Sequence, residues 1–122
     1  MKRDNDLIKH MLQFAEESDN AVTFSRNALP EGFPMDVSFK VVWYHFGLLL
    51  DYGLIEGAKD NQSVTIKGLT WKGHDFLDDA RNDTVWNSVK KVAGNFSFTT
   101  FQAVLMELAK QYTMSQLPGL FP

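Results

Sequence analysis

The sequence predicts an α+β fold in which helices predominate and two strands form a small ribbon. An apolar segment at 37–52 has the spacing of a helix. Two short strand segments at 54–56 and 64–66 flank a polar turn at 57–62. A second helix begins directly afterwards, at Thr70. Helix, ribbon and helix in this order predict a winged helix-turn-helix-like domain.

The segment before the central helix is expected to hold one helix and one strand. Asp4 or Asp6 is predicted to cap a first helix that runs to about Glu17, and 22–24 is a strand candidate. Two prolines within 25–35 leave room for a short helical turn at most. Because a helix-turn-helix places a helix there to cross the DNA backbone, the sequence predicts an incomplete version of that motif.

The central helix is expected to be capped by Asp36 and to end at Gly53. At roughly 100° per residue, one broad face of it is apolar. That face contains Phe39, Val42, Trp43, Phe46, Leu49 and Leu50. A major-groove reader needs polar side chains directed at base edges, and the remaining stripe offers Lys40 and Tyr44 together with Asp51. Three interpretations stay open: burial over most of the circumference, base reading, or an exposed partner surface.

The C-terminal part is predicted to be helical. Thr70 caps one helix, Asp83 caps another that stops at Gly94, and Ser97 or Thr99 begins the last. The last helix has one apolar stripe. The stripe consists of Phe101, Val104, Leu105, Leu108 and Tyr112.

The chain is expected to be one domain, 1–122. Residues 1–82 form the winged-helix-like core, 83–116 form a C-terminal two-helix extension, and the tail at 117–122 is loose. With 122 residues and 44% apolar content, the chain is long enough for one hydrophobic core. The absence of cysteine excludes disulfides, thiolate zinc sites and thiol catalysis.

The charge argues mildly against nucleic acid as a ligand. The net charge is −3, whereas DNA-binding domains usually carry a basic stripe. The N-terminus has no signal-peptide pattern, and no apolar run approaches the ~20 residues of a membrane span. These features predict a cytoplasmic protein that does not enter a membrane.

Candidate nucleic-acid-binding residues lie on the central helix, in the ribbon turn and just after the ribbon. They are Lys40, Tyr44, Lys59, Asn61, Gln62 and Lys72. Scattered solubilising charge is the competing interpretation of the basic residues among them. No catalytic residue, metal site, cofactor or small-molecule substrate is expected, because there is no paired-histidine spacing, nucleophile elbow or phosphate-binding glycine loop. The carboxylates at 75–83 are interpreted as a solvated acidic face rather than a divalent-metal site.

Three separated blocks of sequence resemble one protein family. The blocks are Met1-Lys-Arg-Asp-Asn-Asp-Leu-Ile8, then Tyr44-His45 with Leu48-Leu49 and Gly53-Leu54-Ile55, then Leu69-Thr-Trp-Lys-Gly-His-Asp-Phe-Leu-Asp78 with Arg81 and Val85-Trp86. The chain resembles a family of uncharacterised bacterial and phage proteins known as a domain of unknown function. The resemblance implies a winged-helix-like fold and carries no activity with it. Leu-Thr-x-x-Gly followed by Phe-Leu also occurs after the wing in many bacterial transcription regulators.

The sequence therefore indicates two alternative functions. The first is a DNA-binding or transcription-regulatory module. The second is a non-enzymatic protein-interaction module that uses the winged helix as a scaffold, such as a phage or mobile-element accessory protein or a homodimer. An enzyme is not expected.

Overall fold

A computed structural model describes residues 1–117 and shows an α+β chain of five helices and one three-stranded antiparallel sheet within that range. The helices are α1 (Asn5–Glu17), α2 (Phe39–Asp51), α3 (Trp71–Ala80), α4 (Asp83–Ala93) and α5 (Phe98–Ser115). The strands are β1 (Val22–Ser25), β2 (Ile55–Lys59) and β3 (Ser63–Leu69). Residues 118–122 lie outside the described residues, and with them most of the predicted loose tail.

The chain divides into two compact units, one formed by Met1–Asp75 and one that begins at Phe76. The boundary falls within α3. Unit 1 therefore contains α1, the sheet, α2 and the first turn of α3. Unit 2 contains the rest of α3 together with α4 and α5.

The sheet of unit 1 has the strand order β1-β3-β2. The predicted antiparallel ribbon is confirmed, and both strands are longer than expected because Gly57 pairs with Ile66 and Lys59 with Val64. These pairings shorten the predicted turn at 57–62. The segment 22–24 is confirmed as part of a strand, and β1 pairs along the free edge of β3, a partner that its sequence does not indicate.

The core of unit 1 lies between α1, α2 and the sheet. Its fully buried apolar side chains include Leu7, Ile8, Met11, Leu12, Phe24, Val42, Phe46, Leu49, Leu54 and Val64. His45 is also fully buried, and both ring nitrogens are engaged: Nδ1 lies 2.8 Å from the Val41 carbonyl oxygen, and Nε2 accepts the Asp4 N–H at 2.8 Å. An imidazole that donates from Nδ1 and accepts at Nε2 is neutral, so His45 joins the start of α1 to α2 without burying a charge.

The start of α2 differs from the prediction. Ser38, not Asp36, caps the helix, and its Oγ accepts the Val41 N–H at 3.4 Å. The predicted stop at Gly53 is confirmed by a φ of 71°, a conformation that glycine adopts without steric cost. The segment between β1 and α2 forms turns and no helix, as its prolines predict.

Close backbone contact fixes the start of α3 against the residues that precede β2. Thr70 accepts the Gly73 N–H at 3.0 Å and donates its hydroxyl to the Gly53 carbonyl at 2.5 Å. A Cβ atom on Gly73 would lie 2.0 Å from the Leu54 carbonyl oxygen. The spacing Leu-Thr-x-x-Gly thus has a physical cause in this chain: the threonine caps the helix and the glycine leaves room for the backbone of Leu54.

Unit 2 is built on a cluster of four rings. Phe76 and Phe101 each contact the Trp86 ring, at centroid distances of 6.2 and 5.5 Å, and Phe98 packs on both phenylalanines. Asn82, not Asp83, caps α4, since its side-chain oxygen accepts the Val85 N–H at 3.0 Å.

The apolar stripe of α5 is buried along part of its length. Ser97, one of the two residues predicted to begin this helix, caps it. Phe101 and Leu105 are buried, whereas Tyr112 is 37% exposed. Within residues 1–117, no helix has both the length and the apolar character that crossing a bilayer requires.

Candidate nucleic-acid interface

Residues from three elements of unit 1 surround one cavity of about 280 Å³. Its lining consists of Arg26, Phe39, Lys40, Trp43 and Asn61. Arg26 follows β1, the next three residues lie on the first turns of α2, and Asn61 lies in the turn between β2 and β3. We call this cavity and its rim the α2–hairpin site.

Trp43 corrects the predicted apolar face of α2. The sequence places it among buried side chains, but it is 37% exposed. Its indole Nε1–H donates to the Asp60 carbonyl at 3.1 Å, and the Lys59 ammonium lies 4.0 Å from its ring centroid. The helical period is correct, but the neighbour at this position is the polar hairpin rather than the core. The indole is therefore held at the surface by a hydrogen bond and a cation–π contact.

Arg26 is held in a similar way. Its Nε and Nη2 atoms donate to the Asn61 carbonyl at 3.1 and 2.6 Å, and its guanidinium carbon lies 5.7 Å from the centroid of Phe39. The backbone N–H of Arg26 also donates to the Gln62 carbonyl at 2.8 Å. The guanidinium keeps its Nη1 hydrogens for another acceptor, since it carries five N–H donors in all.

The electrostatics of the site are locally basic. Arg26, Lys40 and Lys59 are all exposed, and within residues 1–117 none of the three forms an ion pair. The hairpin turn also carries the carboxylate of Asp60, whose Oδ1 accepts the N–H groups of Gln62 and Ser63 at 2.7 and 2.9 Å. This carboxylate shapes the hairpin turn instead of neutralising a cation.

The structure brings some of the sequence-predicted residues together and separates others. Lys40 and Asn61 line the cavity, and Lys59 adjoins it through Trp43. The other three candidates do not line it. Gln62 is exposed in the hairpin turn, Tyr44 is half-buried with its ring edge-on to His45, and Lys72 is exposed on the first turn of α3.

Sequence reasoning did not select Arg26 and treated Phe39 as a core residue. The signal for Arg26 lies in strand pairing: Ser25 pairs with Ser63, so the next residue of the chain reaches the hairpin turn. The register in which β1 pairs with β3 cannot be predicted from a strand of only four residues. Phe39 is half-buried under the Arg26 guanidinium, where it belongs to the site as well as to the helix.

Comparison with known proteins shows the family. The family described as "Hypothetical protein (DUF2513)" matches residues 2–99. The chain belongs to the DUF2513 family. This confirms the expected membership of a family of unknown function, and the matched range contains the whole α2–hairpin site.

One relative of this DUF2513 chain is a Haemophilus influenzae protein named "Uncharacterized protein". The two are 43% identical over 94 residues, which cover 74% of this chain and 76% of the relative. No solved structure matches the chain.

Proposed function

We propose that this DUF2513 protein is a non-enzymatic nucleic-acid-binding module of regulatory type, and that unit 1 binds through the α2–hairpin site. The observation that carries the proposal is that Arg26 and Lys40 line one aromatic cavity, which Lys59 adjoins through its contact with Trp43. Phosphate neutralisation by Lys and Arg supplies most of the affinity of such proteins. A local group of unpaired cations therefore outweighs a net charge of −3 spread over the chain.

The order of elements supports a winged-helix-like use of this unit. The succession α1, β1, α2, β2 and β3 is compatible with the use of α2 as a reading helix and of the β2–β3 hairpin as a wing. The hairpin lies beside α2, since the Trp43 indole donates to the Asp60 carbonyl. Since residues 26–38, between β1 and α2, form no helix that could cross a DNA backbone, we propose that contact is made by the first turns of α2 together with the hairpin turn.

A titration with labelled oligonucleotides tests this function. Fluorescence anisotropy is measured at low ionic strength with mixed-sequence single strands and duplexes, and then repeated at rising salt. Three phosphate contacts predict that log K falls with log salt at a slope of about −2 to −3. Binding of neither nucleic acid at low ionic strength, or binding that does not change with salt, would overturn the proposal.

Asp60→Asn is expected to strengthen nucleic-acid binding by about two- to fivefold. The substitution removes a negative charge from the hairpin turn between Lys59 and Asn61, while the amide oxygen still accepts the N–H groups that Oδ1 holds in this turn. The measurement is the anisotropy titration at one fixed low salt concentration. An unchanged or weaker affinity, with an unchanged unfolding midpoint, would show that phosphates do not approach this turn.

A second candidate function, protein interaction, is favoured by the surface of unit 2. Met106 and Met114 on α5, and Leu117 beyond its end, are exposed around a concavity of about 570 Å³. Exposed apolar groups of this kind mark association surfaces. Light scattering at increasing protein concentration tests self-association, with Met106→Lys as the disrupting variant. A monomer at every concentration would argue against a homodimer formed through this surface.

A further inference from the structure

We infer that the α2–hairpin site holds an unpaired nucleotide, with its base against the aromatic side chains and its phosphate on the cations at the rim. The inference rests on the proposed nucleic-acid-binding function and names the form of nucleic acid: a single strand rather than an intact duplex.

The size and lining of the cavity suit one base. About 280 Å³ equals the space of roughly nine liquid waters at ~30 Å³ each, which is room for one nucleobase. Two of its five lining side chains, Phe39 and Trp43, are aromatic rings. Every base has a π-face, so aromatic platforms bind single strands with little regard to sequence.

Trp43 is preorganised for stacking. An exposed ring loses conformational freedom when a base stacks on it, which weakens binding. Here the indole is already fixed by the Asp60 carbonyl and the Lys59 ammonium, and Lys59 itself does not line the cavity. The ring therefore has a fixed position at the cavity. When a base stacks on it, the Trp43 side chain has little conformational freedom left to lose.

The polar stripe of α2 presents few groups that read base edges. In a duplex the faces of the bases are stacked on one another, so a protein reads the bases by their edges, through side-chain donors and acceptors. The polar stripe of α2 offers Lys40, a half-buried Tyr44 that rests against His45, and Asp51. Asn61 is the single amide side chain that lines the cavity. Stacking on a base face is the interaction that this lining provides.

The cations supply the matching phosphate contacts. Arg26 is oriented by its two bonds to the Asn61 carbonyl, and its Nη1 group makes no hydrogen bond within residues 1–117. Lys40 lies exposed on the rim of the same cavity. A nucleotide whose base enters the cavity therefore finds charged donors where its backbone emerges.

The test compares three probes of about 12 nucleotides: a mixed single strand, its duplex, and an abasic strand that keeps the phosphates. The single strand is expected to bind at least about tenfold more tightly than either of the others. Trp43→Leu is expected to weaken single-strand binding by about 5- to 100-fold and to change duplex binding less than twofold. Trp71→Leu is the matched control, because Trp71 is 87% exposed and does not line this cavity.

A folding defect is separated from lost stacking by a second variant. Trp43→Phe keeps a ring at the position and is expected to retain most of the single-strand affinity, with thermal unfolding of each variant recorded. Equal affinities for strand, duplex and abasic strand, with no loss in Trp43→Leu, would overturn the inference and leave the proposed function standing. Failure of all three probes to bind would overturn the proposed function itself.

Discussion

Replacing Arg26, Lys40 and Lys59 together by glutamine is expected to weaken nucleic-acid binding by at least about 100-fold at low salt. Charge-assisted contacts contribute about 1.5–3 kcal/mol each. The loss of three such contacts therefore weakens binding by more than about 100-fold, even when their contributions are not additive. The residual binding should also lose most of its salt dependence, because the slope counts neutralised phosphates. Anisotropy titrations at several salt concentrations measure both effects.

The matched control replaces Lys2, Lys67 and Lys110 by glutamine. All three are exposed, lie outside the lining of the α2–hairpin site and change the net charge by the same amount. A purely long-range effect of charge would weaken binding equally in both triple variants. The proposed site requires that the control keep nearly all of its affinity and slope. Equal losses in the two variants would remove the reason to place binding at this cavity.

Gly73→Ala is expected to lower the free energy of unfolding by about 3 kcal/mol. The new Cβ atom would lie 2.0 Å from the Leu54 carbonyl oxygen, a backbone atom that cannot rotate away. Overpacking of this kind costs typically 1–3 kcal/mol and sometimes more. The shift that relieves the clash would also disturb the Thr70 N–H bond to the Leu54 carbonyl, 3.1 Å long in the native chain. Urea unfolding, monitored by circular dichroism, measures the decrease in the free energy of unfolding.

Gly68→Ala provides the control for that prediction. No atom lies within 4 Å of a Cβ built on Gly68. An alanine there also restricts the unfolded chain, which stabilises by about 0.4–1 kcal/mol where the backbone permits it. We therefore expect the urea midpoint of unfolding of Gly68→Ala to equal or slightly exceed that of the wild type. Similar destabilisation by both alanines would show that the contact between Gly73 and Leu54 is not the cause.

Much of the fold could be predicted because its signals are local. The periodicity of 37–52, the left-handed stop at Gly53 and the capping threonine at Thr70 each depend on neighbours within one or two turns. The errors were also local. Asp36 and Ser38 are both good helix caps, and the choice between them depends on where the chain leaves the preceding turns. Asn82 and Asp83 pose the same ambiguity one residue apart.

The site could be predicted only in part because it is assembled from distant segments. The sequence indicates Lys40 by its place on the polar stripe of the central helix, and Lys59 and Asn61 by their place in the ribbon turn. Arg26 joins them through the pairing of β1 with β3, across 35 residues of sequence. Trp43 has the spacing of a core residue, and only the position of the hairpin makes it a surface residue. Tertiary contacts of this kind have no local sequence signal.

The most direct test of the account follows the three tryptophan indole N–H signals by NMR while a short single strand is added. Trp43 lies in the α2–hairpin site, Trp71 is 87% exposed at the start of α3, and Trp86 is 3% exposed among the rings of unit 2. The account predicts that the Trp43 signal shifts in proportion to bound strand, while the Trp71 and Trp86 signals stay in place. A stationary Trp43 signal under saturating strand, or a shift confined to Trp71 or Trp86, would contradict it.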